Sequence, residues 1–278
     1  MGDNQMSSDV RNPVFQHGGN LIKQQMAVDV PVESIPLPSG GKAYPEGSPL
    51  HNREQLEIRA MTTREEDILM SRALIKKGTV VSHLIKNCLV DQTIPVEQML
   101  SGDRYALLVA LRVMSYGPEY EATVECPQCG AKQSHVFKLD ELPIKELEAT
   151  PVGVGMNLFE FELPQSKKKV QFKFLTGHDE ETMLQTQNQK KAKFNHDVET
   201  SVTSRLAQTI VAIDGNTNRI DVIRTINSMV VRDADALRKY MSKCEPGIDM
   251  TQMIDCGECD AVEEVSVPVG VGFFFPKG

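Results

Sequence analysis

The spacing of apolar positions changes period several times along the chain. From Thr62 onward, Ile68, Leu69, Ala73 and Leu74 fall on one face of a 3.6-residue repeat, which predicts a helix. Thr62 or Thr63 can cap it, Glu65 and Glu66 favour its first-turn amides, and Gly78 stops it. A second helix is predicted from Val80 to Leu89. A third, from Ser101 to Ser115, places Tyr105, Leu108, Leu111 and Arg112 on one buried stripe before Gly117 and Pro118 end it. The period then drops to two. Glu121, Thr123 and Glu125 precede CPQCG, and Ser134, Val136 and Lys138 follow it, predicting a strand, a cysteine knuckle and a returning strand. Farther on, Phe159, Phe161 and Leu163 alternate before the turn LPQSKKK, and Val170, Phe172 and Phe174 alternate behind it. That is the pattern of a β-hairpin.

The same order of elements then recurs. Thr176, Glu180 and Glu181 open a helix as Thr62, Glu65 and Glu66 do. SRLAQTIVAID from Ser204 resembles SHLIKNCLVD from Ser82, each a helix running into an aspartate. A helical stretch from Val222 to Met241 and a second strand, CxxC and strand ending at Val269 complete the series. Self-similarity across ordered elements points to an internal duplication. Two similar lobes would then meet around one shared metal, because each supplies only two thiolates. The expected fold class is α+β: helical lobes, small antiparallel β units and a four-cysteine, zinc-ribbon-like site.

The expected divisions are a flexible tail (1–27), an extended arm with a Pro/Gly turn (28–61), a first helical lobe with its knuckle (62–142), a linker and hairpin (143–175), and a second helical lobe with knuckle and aromatic C-terminus (176–278). The tail is rich in Asn, Gln, Ser and Gly and buries too little to offset its ordering entropy. In the arm, Val28, Val30 and Val32 alternate, and Pro36, Pro38, Gly40 and Gly41 force a turn.

A net charge of -8 argues against a general nucleic-acid binder, which needs clustered Lys and Arg to neutralise phosphates. No stretch approaches the roughly 20 apolar residues of a membrane span, and the N-terminus lacks an apolar signal core, so an intracellular soluble protein is expected. A chain of 278 residues can bury a core without disulfides, so its six cysteines call for a different explanation.

Four of the six form tight pairs, Cys126/Cys129 and Cys256/Cys259. Two cysteines two residues apart turn their thiolates to one side, and two such knuckles complete the tetrahedron that zinc prefers. Gly130 and Gly257 give the two turns conformational freedom. An iron–sulfur cluster would use the same four thiolates, and a redox pair is a further alternative. Four sulfur ligands leave no open position for water, which disfavours catalysis by the ion. Cys88 and Cys244 lie in helical patterns and read as small buried apolar residues. His83, His135 and His178 read as surface or capping residues, and Lys167, Lys168 and Lys169 as a solvated turn. SGGKAYP lacks the spacing of a phosphate-binding loop.

The segments LPSGGKAYP, TTREEDILMS, CPQCG, CGEC and GFFFP together resemble the baseplate hub and hub-assembly proteins of T4-like contractile-tailed bacteriophages, over about residues 28 to 276. The resemblance implies a non-enzymatic hub component or hub-assembly factor of a phage tail baseplate, assembled in the bacterial host cytoplasm and contacting other tail proteins, without a small-molecule substrate. Leu37, Pro38, Gly40, Tyr44 and Pro45 match the arm motif, and Phe274, Phe275 and Pro276 the terminal aromatic motif. Phe275 stands where Trp is expected in relatives. Leu37, Pro38, Tyr44, Pro45, Phe273, Phe274 and Phe275 are therefore candidate partner contacts, and Cys126, Cys129, Cys256 and Cys259 candidate ligands of a structural Zn2+. The rival readings are a zinc-ribbon adaptor for nucleic acid and a thiol oxidoreductase.

Overall fold

The computed structural model describes residues 30–194, 202–269 and 273–274, with the side chains of 189–194 left aside. The predicted tail (1–27) and Phe275 lie outside the described residues. The chain divides into the units Met1–Pro31 and Val32–Gly278, and every element described here belongs to the second.

The stretch read as an extended arm is instead the first piece of core. β1 (Val32–Pro36) and β2 (Gln55–Arg59) pair antiparallel. The long loop between them sends Leu37, Ala43, Tyr44 and Leu50 inward beside Leu56 and Ile58. The Pro and Gly residues shape a folded loop here, not a free strand. α1 (Thr63–Met70) follows, with Thr62 and Glu65 forming a reciprocal cap. The single helix predicted up to Gly78 is two, broken where Ser71 turns extended (ψ 101°), so that α2 (Arg72–Lys77) is the one that ends on Gly78; α3 is Val80–Cys88. The apolar face predicted for the first helix is only half-covered, with Ala73 exposed; the buried residue of α1 is Glu65. Arg59 pairs with it at 2.8 Å, supplying the countercharge that such burial requires.

α4 (Ser101–Tyr116) is buried on more than one stripe, while Tyr105 is 41% exposed. β3 (Glu119–Glu125) and β4 (Lys132–Lys138) form the first knuckle ribbon. β5 (Ile144–Lys145) crosses to pair with β9 (Gly247–Ile248). β6 (Phe159–Glu162) and β7 (Lys169–Phe172) form the predicted hairpin. α5 (Gly177–Phe194) and α6 (Val202–Thr209) follow.

The helix predicted through IVAID stops early, because Ile210–Ile213 is a strand, β8, which extends the hairpin to three strands. Its β-branched residues suit a pleated surface better than a helix. The predicted Val222–Met241 helix is likewise two, α7 (Arg219–Asn227) and α8 (Val231–Cys244). The second knuckle ribbon is β10 (Thr251–Asp255) with β11 (Val262–Ser266).

The two halves follow a parallel order of elements. Each half runs from a hairpin through helices to a third strand or bridge, then to a long helix and a knuckle ribbon. Leu89 bridges Ile58 after α3 as β8 pairs with β7 after α6. Each long helix carries a fully buried aspartate at its third position, Asp103 or Asp233, that holds its own half's hairpin loop. Asp103 accepts from Ser39 N–H at 2.9 Å and from the hydroxyls of Ser39 (2.6 Å) and Tyr44 (2.5 Å). Asp233 accepts from the amides of Gln165 (2.8 Å) and Ser166 (3.0 Å). The separation from Asp103 to Cys126 equals that from Asp233 to Cys256, so helix and knuckle repeat without insertion.

Candidate metal centre

Each ribbon delivers its cysteines at the turn. Cys126 N–H donates to Ala131 C=O at 2.8 Å, and Cys256 N–H to Ala261 C=O at 2.9 Å, closing equivalent loops. Both loops contain a left-handed residue at the same place, Gly130 (φ 73°) in one and Asp260 (φ 55°) in the other. Asp260, rather than the predicted Gly257, is therefore the special position of the second turn.

The two ribbons bring their tips together. Cys126 Sγ lies 3.9 Å from Cys259 Sγ, Cys129 Sγ lies 3.7 Å from Cys256 Sγ, and all four sulfurs fall within 4.8 Å of one another. A bonded disulfide needs about 2.05 Å. A tetrahedral ion about 2.3 Å from each sulfur would set them about 3.8 Å apart. The four thiols are thus placed closely enough to hold one metal ion.

The crossed pairing gives the site approximate two-fold symmetry. Cys126 and Cys256 are buried, whereas Cys129 and Cys259 are exposed. The amides of Glu258 and Cys259 pull the Cys256 thiol down to about 7. The Ala261 amide favours the Cys259 thiolate, yet hydrogen bonding to the neighbouring sulfurs, with Cys129 foremost, and burial push it up to about 12. One thiolate therefore opposes the next, a conflict that a bound cation would remove.

Gln133, which no sequence motif marks, spans the ribbons. Its Nε2 donates to Asp255 C=O at 3.0 Å, and its Oε1 accepts from Gly257 N–H at 3.1 Å. His135 lies outside the sulfur cluster and packs edge-on against Phe137. Cys88 and Cys244 are buried away from it.

The candidate contact residues mostly face inward. Leu37, Pro38 and Tyr44 are buried in this chain's core, and Pro45 is exposed. Phe273 and Phe274 are also buried, so their aromatic surface is used within the chain. Phe273 packs edge-on against Tyr120, and its carbonyl accepts from Arg112 Nε at 2.7 Å. No helix among the described residues is long and apolar enough to cross a membrane.

A family model described as T4 bacteriophage base plate protein matches residues 31–276. Comparison with curated proteins gave no match, and neither did comparison with solved structures. The match spans the core, both knuckles and the buried Phe273–Phe274 pair, and the chain belongs to the T4 bacteriophage base plate protein family.

Proposed function

We propose that this baseplate protein is a non-enzymatic hub component or hub-assembly factor whose two halves are fixed by one structural zinc ion on Cys126, Cys129, Cys256 and Cys259. The observation that carries this reading is the convergence of four sulfurs, two from each ribbon, within 4.8 Å. Neither knuckle holds four ligands alone, so the ion would join the halves and set their relative orientation. The protein would assemble in the host cytoplasm and then meet other tail proteins through surfaces such as the loop around exposed Pro45.

Both cysteine pairs sit at strand ends, whereas a thiol oxidoreductase places its reactive cysteine at a helix N-terminus. The outward strand positions Glu119, Glu121 and Glu125 lie opposite Lys138, Val136 and Lys132, which gives a mixed surface and not the basic stripe of a nucleic-acid reader. The test is elemental analysis of the native protein combined with reconstitution of the baseplate hub. About one zinc per chain is expected, and Cys256→Ser should lose metal and assembly together. Normal hub assembly by a metal-free Cys256→Ser protein would sink the proposal.

A further inference from the structure

The duplication predicts a contact that the chain makes once and leaves open once. In the first half, the residues leading into α4 pair antiparallel with those leading into α5. Leu100 bridges Thr176, Ser101 N–H donates to Leu175 C=O at 2.8 Å, and Gly177 N–H donates to Met99 C=O at 3.0 Å. This contact joins the halves, and it buries Leu100 to 1% and Ser101 to 7% exposure.

Both partners have counterparts. Val230 and Val231 precede Asp233 as Leu100 and Ser101 precede Asp103, and Val230 (φ -67°, ψ 144°) has almost the backbone of Leu100 (φ -59°, ψ 144°). Thr62 corresponds to Thr176. Each caps a helix through a carboxylate three residues on, Glu65 or Asp179, that is paired with a cation three residues before the threonine, Arg59 or Lys173. Among the described residues no bridge joins Val230 to Thr62. Val230 is 43% exposed, Val231 80%, and Thr63 is exposed as well.

We propose that two copies of this chain associate by closing this second bridge in trans, the Val230–Val231 edge of one copy pairing with the Thr62–Thr63 edge of the other. A two-fold axis lets each copy offer one edge and receive the other, so both bridges close and none is left over. The interaction is strand addition, in which main-chain bonds supply register and two valines supply apolar burial. The occupant is a second copy because the surface seen filling the equivalent edge has its own repeat on this same chain. The proposal stands independently of the metal.

Light scattering on the full chain should show the mass rising toward twice the monomer value as concentration increases. Val231→Lys is expected to raise the dissociation constant at least about tenfold, about 1.4 kcal/mol, with the thermal midpoint of the monomer unchanged. Mixing Thr62→Cys chains with Val230→Cys chains, the pair that the Leu100–Thr176 bridge places face to face, should give a disulfide cross-link between positions 62 and 230 on mild oxidation, located by mass spectrometry. A monomer at every concentration, or a Val231→Lys protein that associates as the parent does, would overturn the proposal. So would a 62–230 cross-link that forms only inside a chain carrying both substitutions.

Discussion

Helices α4 and α8 hold equivalent places in the two halves, yet their surroundings differ. α4 buries Ala106, Leu107, Leu108, Val109, Leu111 and even Arg112, whereas α8 fully buries only Asp233, Leu237 and Cys244. The second half contributes to covering α4. Arg104 donates to Ser82 Oγ and Glu180, and a Cβ on Gly177 would run into its guanidinium, so α5 starts directly against it. Phe273 reaches back to the far end of the same helix. Among the described residues nothing equivalent covers α8, whose side toward α5 and α6 opens on a 380 Å³ cleft lined in part by Met183, Leu206 and Met241. Two halves with the same order of elements thus divide the labour, one as the enclosed centre and the other as the more accessible wrap.

The largest expected effect should be the same in both halves. If one ion takes two sulfurs from each ribbon, Cys126→Ser and Cys256→Ser should lower apparent stability equally. The loss should approach the scale of structural zinc binding, on the order of 10 kcal/mol. Calorimetry with and without chelator measures this, and unequal losses would mean that one knuckle binds alone. Arg112 and its counterpart Ser242 should differ sharply. Arg112 donates to the carbonyls of Phe273, Gly117 and Glu119, so Arg112→Ala should cost about 3 to 5 kcal/mol by urea unfolding. Ser242→Ala on exposed α8 should stay within about 0.5 kcal/mol.

A smaller contrast depends on pH. Burial opposes the Glu65 charge, but Arg59 and Thr62 hold its carboxyl down at about 2, below its unfolded value near 4.5. Its contribution is therefore fully present above pH 4.5 and is lost as pH falls toward 2. Glu65→Gln should cost roughly 2 to 3 kcal/mol at pH 7 and little near pH 2. The more exposed Lys173–Asp179 pair has a lowered carboxyl of the same sign, so Asp179→Asn should give a weaker pH dependence. Urea titrations at both pH values decide whether the repeated motif has kept equal strength.

Where side-chain period and punctuation agree, the sequence was a good guide. Gly78, Gly117 and the alternation around CPQCG mark real boundaries, and the four thiols needed only the prior that paired knuckles converge. Ile210–Ile213 misled because a short apolar run suits either a helix or a strand, and only pairing with β7 decides between them. By sequence Leu37 and Tyr44 fall in an arm, because Pro and Gly dominate that stretch. Their burial depends on Asp103, far along the chain, and no local pattern reveals such a contact. Gln133 escaped notice for the same reason, since its role exists only once the second ribbon lies beside the first.

The separation between the two knuckles also imposes an order in time. A bacterial ribosome adding about 5 to 20 residues per second would present Cys126 and Cys129 several seconds or more before Cys256 and Cys259 emerge. During that interval the early pair is a two-thiol site without its complement, able to recruit a metal weakly and equally able to react with a passing oxidant. The metal joint would therefore be among the last long-range connections to form, followed by the docking of Phe273 on Arg112, and until then α4 would lack part of its cover.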